Sequence, residues 1–242
     1  MRIFNLTLLS FVFFLMSSCQ KERKDKRVDF SETEYNFLSP YDENGKPSNL
    51  QKDVISQELI NFRKQSLPEQ KDLRNSPLLT NNQTTDIRVT KKSDIFVTYL
   101  GSGTSYKNAI AFYTYPTSAP PAKTKDIRAI TYIFPNAGYR TTLVSGDKVK
   151  IGTFEPGTSI GFVLLQDGWN LTTKKPNNKA AHFCYNDILN PEEDPSLRKH
   201  VVLVDYAAEK KVLVGFEDEY RTSSKCDHDF NDVVIYTTIN EL

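Results

Sequence analysis

The sequence of 242 residues is poor in the residues that mark several common classes of protein. It has three histidines, three cysteines and one tryptophan, and its 31 basic residues nearly balance its 30 acidic residues. Without a basic excess, the chain lacks the electropositive surface that nucleic acid requires, so we expect no nucleic-acid partner. Beyond the N-terminus, no apolar run approaches the roughly 18 residues that cross a bilayer. The scarcity of histidine also disfavours a catalytic triad.

The one pronounced apolar run lies at the N-terminus and is typical of a secretory signal. Arg2 precedes the apolar stretch from Leu6 to Met16, and Ser17-Ser18-Cys19 follows it. Small residues directly before a cysteine resemble a bacterial lipobox, so residues 1–18 are predicted to be a lipoprotein signal peptide with Cys19 as the lipidation site. An ordinary signal peptide with an incidental cysteine is the alternative. We expect a lipid anchor to the membrane of a bacterial cell envelope, in the outer membrane, with the periplasmic or surface face left open.

The region between this signal and residue 86 is predicted to contain little folded structure. Residues 19–47 begin with an almost wholly charged stretch and are interpreted as a polar tether. Residues 48–66 have apolar positions at helical spacing, and Ser48 with Gln51 matches a capping box, which predicts one amphipathic helix. Residues 67–85 are rich in Pro, Asn, Gln and Thr and are interpreted as a linker, with an ordered arm over the next domain as the alternative.

From residue 86 to residue 242 the pattern changes to short β-branched and aromatic runs separated by turn residues. This pattern predicts an all-β fold, a two-sheet, jelly-roll-like β-sandwich. No helical period is long enough for βαβ crossovers, which disfavours α/β enzyme folds. The predicted strands are Ile87–Thr90, Ile95–Leu100, Ala109–Tyr115, Ala129–Phe134, Lys148–Phe154, Ser159–Gln166, Ala180–Tyr185, His200–Tyr206, Lys211–Phe216 and Asp232–Ile239.

An acidic segment near the C-terminus indicates a cation site. Asp227, Asp229 and Asn231 match the first, third and fifth positions of a calcium-binding loop, and Asp232 follows them. An EF-hand is excluded because Asp232 stands where that loop needs glycine and Thr238 where it needs a bidentate glutamate. The alternative is that these side chains cap turns at the end of the sheet.

The rest of a cation site would have to come from elsewhere in the fold. Glu217 and Asp218 end the preceding predicted strand and are the nearest candidates. A pair of strands could therefore hold an acidic loop at their ends. Several clustered carboxylates repel one another without a cation, which favours a bound ion over turn capping.

The cysteines and histidines allow two other arrangements. Cys184 and Cys226 could form a disulfide in an export compartment, or could remain free thiols. Alternatively, His182-x-Cys184 and Cys226-x-His228 together supply the Cys₂His₂ set of a tetrahedral zinc site. Ordinary packing or surface exposure would also account for both histidines.

Two further features favour other functions only weakly. Gly157-Thr158-Ser159-Ile160-Gly161 fits the G-x-S-x-G pattern of a hydrolase, but a strand follows it where the motif requires a helix. Trp169 lies just after a predicted strand and is a possible platform for a sugar ring in a carbohydrate-recognition module; burial at one end of the core is the alternative.

Taken together, segments 215–218 (Gly-Phe-Glu-Asp) and 227–234 (Asp-His-Asp-Phe-Asn-Asp-Val-Val) resemble the signature of a bacterial family catalogued as domain of unknown function 4114. Upstream residues agree in order, among them Tyr106-Lys107-Asn108, Phe134-Pro135-Asn136 and Gly157-Thr158. The resemblance spans about residues 86–242. It implies an exported or cell-envelope β-sandwich module without catalytic activity.

The resemblance also implies a cation site, which motif position assigns to Asp218, Asp227, Asp229, Asn231 and Asp232. We therefore expect a lipid-anchored module that holds structural Ca²⁺ and acts in binding or envelope assembly, with a glycan or an envelope protein as possible partner. A carbohydrate-recognition module is the alternative, and an envelope hydrolase is a third.

Overall fold

The computed structural model describes residues 28–80 and 86–242 of the chain. The predicted signal peptide (residues 1–18), Cys19 and the charged stretch up to residue 27 lie outside these residues. Within the described residues, no helix has both the length and the apolar character required to span a bilayer.

The predicted all-β sandwich is confirmed: two six-stranded sheets account for most of the regular structure. The strands are β1 Glu34–Phe37, β2 Gln51–Lys52, β3 Ile87–Arg88, β4 Ser93–Ser102, β5 Ala109–Pro116, β6 Ala129–Phe134, β7 Asp147–Phe154, β8 Thr158–Gln166, β9 Trp169–Asn170, β10 Lys175–Pro176, β11 Ala181–Cys184, β12 Val201–Tyr206, β13 Lys211–Phe216 and β14 Val233–Glu241; the helices are α1 Gln57–Ser66 and α2 Pro77–Thr80.

The first sheet has the order β1-β6-β5-β8-β11, with β3 also paired to β8, and the second has the order β12-β13-β14-β4-β7-β2. The strand pairs within the two sheets are antiparallel except for β1 with β6. Strands β9 and β10 form a separate two-stranded ribbon.

The main core lies between the two sheets and follows from the alternation of side chains along each strand. On β5, Ile110 and Phe112 belong to this core, whereas Ala109, Ala111 and Tyr113 belong to a second cluster on the outer face of the sheet. Successive side chains of a strand point to opposite faces. Because both faces of β5 are buried from Ala109 to Tyr113, this part of its sequence lacks the alternation of a half-exposed strand.

Segments upstream of residue 86 cover the outer faces of both sheets. Phe30 is buried against the outer face of the first sheet. Leu59 of α1, together with Leu67 and Leu73, packs on the outer face of the second sheet beside Val234. The sandwich therefore includes structure well before the predicted boundary.

The tether predicted over residues 19–47 is wrong where the structure describes it, whereas the described part of residues 67–85 agrees with the ordered-arm alternative and not with a linker. Residues 34–37 form β1, which pairs in parallel with β6, so this part of the predicted tether belongs to a sheet. Leu67 and Leu73 of the predicted linker are buried, and α2 follows them. Residues 81–85 of that linker lie outside the described residues.

The predicted helix over residues 48–66 exists only in its second half. It begins at Gln57, where the Ser56 hydroxyl accepts a hydrogen bond from the backbone N–H of Leu59 at 3.0 Å. Gln51, expected to complete a capping box with Ser48, lies in β2 and pairs with Lys148 of β7. Hydrogen bonding to the edge of the second sheet has overridden the local helical pattern.

Candidate metal centre

The acidic segments lie in one long loop, residues 217–232, which joins the antiparallel strands β13 and β14. Phe216 and Val233 are paired at the point where the two strands meet the loop. The backbone N–H of Asp218 donates to Asp232 Oδ2 at 2.8 Å and closes the base of the loop. The expectation that two strands hold an acidic loop at one end of the sheet is therefore confirmed.

The loop carboxylates form two clusters that share one residue, Glu217. Glu217 groups with Asp218 and Asp232, and it also groups with Asp227 and Asp229; within each cluster, one oxygen from each residue lies within 4.8 Å of the others. The five residues assigned by the family resemblance therefore do not form one compact set by themselves. Glu217, which the assignment omitted, bridges them.

Asn231, the remaining assigned residue, lies beside the second cluster. It is buried, and its backbone N–H donates to Asp229 Oδ1 at 3.1 Å. Its Oδ1 faces Gly103, where a Cβ atom would approach to 3.1 Å. Its amide Nδ2 has no hydrogen-bond partner among the described residues. Asn231 is therefore placed as a neighbour of the clusters, with an unsatisfied amide.

Neighbouring segments fix the carboxylates in place. Asp218 Oδ2 accepts hydrogen bonds from Thr104 Oγ1 and Asn108 Nδ2, both at 2.5 Å. Asp229 Oδ2 accepts from the backbone N–H of Gln70 at 2.7 Å. The segment after α1 and the loop after β4 thus both contact the acidic loop. The spacing of residues within 215–234 could not reveal these contacts.

The backbone of the loop is constrained at two bulky residues. His228 has φ +62° and Phe230 has φ +59°, the left-handed region that non-glycine residues rarely adopt. The buried ring of Phe230 and a 3.0 Å hydrogen bond from Leu73 N–H to the His228 carbonyl hold this conformation. Strain of this kind costs on the order of 1–3 kcal/mol per residue and clusters at functional sites.

The electrostatics of the loop are those of crowded, buried acids. Burial raises the pKa values of Glu217, Asp218 and Asp232, and neighbouring carboxylates raise them further. Burial also raises the pKa of Asp229 to about 6. Each shift means that the environment opposes the negative charge.

No lysine or arginine within residues 28–80 and 86–242 forms an ion pair with the acids of the two clusters. Arg221 is buried close by, but its Nε donates to His228 Nδ1 at 2.8 Å and its Nη1 to the Lys199 carbonyl at 2.5 Å. Both of these guanidinium nitrogens therefore donate to a ring nitrogen and a carbonyl, and not to the carboxylates. The carboxylates lack a direct cationic partner in the described structure.

Among the described residues, the free-thiol alternative for Cys184 and Cys226 is confirmed, and neither the disulfide nor the Cys₂His₂ zinc set forms. Cys184 and Cys226 are free, buried thiols. Cys184 belongs to the outer cluster of the first sheet, and His182 contacts Tyr35 Oη and the Ala180 carbonyl, each at 2.8 Å. Cys226 instead contacts His228, with 3.0 Å between Sγ and Nδ1. The two halves of the zinc set therefore have different surroundings.

Trp169 is not a sugar platform, because its side chain is 0% exposed. It meets Tyr41 edge to face, with ring centroids 5.6 Å apart. The G-x-S-x-G segment runs into β8, where Ser159 is buried and its Oγ lies 2.8 Å from Thr117 Oγ1. This serine is part of the sheet and is not on an exposed turn before a helix.

The fold and the loop define a class: an all-β sandwich with a partly buried acidic loop at one end of a sheet. The family model described as Domain of unknown function (DUF4114) matches residues 154–240, which include this loop, β13 and all of β14 but its last residue. The resemblance seen in the sequence is thereby confirmed for the C-terminal part of the chain. No curated protein and no solved structure matches the chain significantly.

Proposed function

We propose that this protein is a lipid-anchored, exported β-sandwich module that holds a structural Ca²⁺ ion in the loop between β13 and β14 and acts, without catalysis, in binding or envelope assembly. The observation that carries the calcium proposal is the group of acids around Glu217 without a direct basic partner. Burying a charge without a partner costs several kcal/mol, and a divalent cation would remove that cost.

The donor chemistry favours calcium over softer metals at the acidic clusters. Both clusters consist of carboxylates, and Asn231 adds an amide beside them. Ca²⁺ takes six to eight oxygen ligands in flexible geometry, whereas Mg²⁺ requires a near-ideal octahedron. A loop with ligands on two segments suits the more tolerant ion.

Calorimetric titration of the purified protein with Ca²⁺ tests this proposal, with Glu217→Gln as the key variant. The amide keeps the shape of the side chain but removes the charge shared by both clusters, so we expect calcium affinity to fall at least tenfold. Glu155→Gln, on an exposed glutamate paired with Lys92, is the matched control and should leave affinity unchanged. Equal affinities in all three proteins, or no heat of binding in any, would refute the calcium site.

The export and anchoring part of the proposal is supported by the sequence around Cys19. Residues 6–16 supply the apolar core of a signal, and Ser17-Ser18 precede the cysteine. In the sequence, the almost wholly charged residues 20–27 follow Cys19. An envelope protein or a glycan is the kind of partner that such a module would meet.

A further inference from the structure

Glu217 also belongs to a second set of metal-ligand side chains, which shares no other residue with the acidic clusters. Glu217, Cys226 and His228 each offer one ligand atom, and these three atoms lie within 4.8 Å of one another. All three side chains are largely withdrawn from solvent, with exposed fractions of 1%, 9% and 6%. The set combines oxygen, sulfur and nitrogen donors.

Glu217 provides an independent sign that the cluster accepts a ligand. Its carboxylate oxygen Oε2 is buried and has no hydrogen-bond partner among the described residues. A buried carboxylate oxygen without a donor is costly and rare in folded proteins. A cation at this point would satisfy it.

We propose that Glu217, Cys226 and His228 form a site for a borderline-soft divalent cation of the Zn²⁺ class. Thiolate and imidazole select such ions over Ca²⁺, and the carboxylate is a third protein ligand, which leaves one tetrahedral position for water. The inference does not depend on calcium binding, although the two sites share Glu217.

Binding requires two local changes. The Cys226 thiol, whose pKa burial raises, must release its proton to solvent as the metal–sulfur bond forms. Arg221 Nε must also give up its hydrogen bond to His228 Nδ1 if that nitrogen is the ligand. The observed 3.0 Å between Sγ and Nδ1 would open to about 3.5 Å for tetrahedral Zn–S and Zn–N bonds.

Cobalt titration of the full chain carrying Cys19→Ser tests the site, because Co²⁺ replaces Zn²⁺ and reports thiolate ligation by its absorption. We expect a near-ultraviolet sulfur-to-cobalt band and tetrahedral visible bands that saturate at one equivalent and disappear on addition of Zn²⁺. Further substitution by Cys226→Ser or His228→Gln should abolish the sulfur-to-cobalt band or weaken binding at least tenfold. Cys184→Ser removes the other buried thiol and should leave the spectrum unchanged.

The site is refuted if the parent chain shows no sulfur-to-cobalt band, or if the band survives Cys226→Ser. Circular dichroism checks that each variant is folded. If Cys226→Ser does not fold, the Cys19→Ser/Cys184→Ser chain decides: Zn²⁺ should slow alkylation of Cys226 at least tenfold, and an unchanged rate overturns the site. Calcium titration of the same chain gives no such band, so failure of the calcium proposal and failure of this one are distinguishable.

Discussion

At the scale of single residues, Glu217 has the largest influence on the site. Its carboxylate belongs to both acidic clusters and to the cluster with Cys226 and His228. It is the first residue of the loop, directly after β13. The pattern of alternating acids from residue 227 gave no reason to rank it above Asp218, because its importance arises from the folding back of the loop.

His182 gives a pH-dependent prediction that is separate from the metal centre. Burial lowers its pKa to about 4. The Ala180 carbonyl accepts from Nδ1 and the Tyr35 hydroxyl lies against Nε2. The unfolded chain binds a proton to this ring near pH 6.5 and the folded chain does not. The stability due to neutral His182 is therefore present above about pH 6.5 and is lost as the pH falls towards 4.

Denaturant unfolding from pH 7 to pH 4 measures this effect in the wild type and in His182→Gln. The expected contribution of the histidine is on the order of 3 kcal/mol, so the variant should lose less stability over this range. His228, whose pKa burial and Arg221 also lower to about 4, keeps part of the pH dependence in both proteins. Parallel stability curves for the two proteins would contradict the prediction.

Trp169 gives a second prediction at this scale, because it is fully buried beside Tyr41. Trp169→Ala should destabilise the protein by about 3–5 kcal/mol in urea unfolding, the usual cost of removing a buried aromatic ring. Tyr139→Ala, at an aromatic residue that is 48% exposed, should change stability by less than about 0.5 kcal/mol. Similar small effects for both would contradict the burial of Trp169.

At the scale of elements, the sandwich depends on segments that precede residue 86. Strand β1 completes one edge of the first sheet, and Leu59 of α1, Leu67 and Leu73 cover the outer face of the second. Gln70 also donates its backbone N–H to Asp229. These segments connect the covering layer to the acidic loop.

A truncation series tests this dependence. A chain of residues 86–242 exposes the apolar outer faces of both sheets, so we expect it to aggregate or to lack a cooperative unfolding transition. A chain of residues 28–242 retains the covering segments and should unfold cooperatively. The prediction is contradicted if calorimetry gives the two chains the same transition midpoint.

Each of the ten predicted strands corresponds to a strand of the structure, although β3 has only two residues, but β1, β2, β9 and β10 were not predicted. The long strands carry β-branched and aromatic runs that are unmistakable because both faces are buried, as on β5. Strand β1, Glu-Tyr-Asn-Phe, is a short edge strand whose mixture of polar and aromatic residues resembles a loop. Its strand conformation comes from pairing with β6, about 95 residues away, and no local pattern contains that information.

The sequence predicted where in the fold the candidate site lies, but not which residues form it. The position of the loop at the end of two strands followed from the apolar runs on either side of the acidic motif. The contacts from Thr104, Asn108 and Gln70 join segments that are more than 100 residues away from their carboxylate partners. Cys226 and His228 lie together, as the hypothesis of a zinc set required for one of its halves. Their neighbour is Glu217, whereas the hypothesis required Cys184 and His182.

At the scale of the whole molecule, the proposed lipid anchor makes a direct prediction. When the protein is expressed in a bacterium with a lipoprotein-processing pathway, a labelled fatty acid should become attached to it, and the protein should sediment with membranes. Cys19→Ala should abolish the label and release the protein from the membrane fraction, whereas Cys184→Ala should retain both properties. A label that persists in Cys19→Ala would contradict the anchor.

The central claim, that the sandwich is stabilised by Ca²⁺ at the acidic loop, is tested most directly by thermal unfolding with and without the ion. Calcium at 100 times its Kd should stabilise the folded chain by about 2.7 kcal/mol. For a domain of this size, that corresponds to a rise in Tm of roughly 5–10 °C, which excess chelator should reverse. Identical midpoints in calcium and in chelator would contradict the claim.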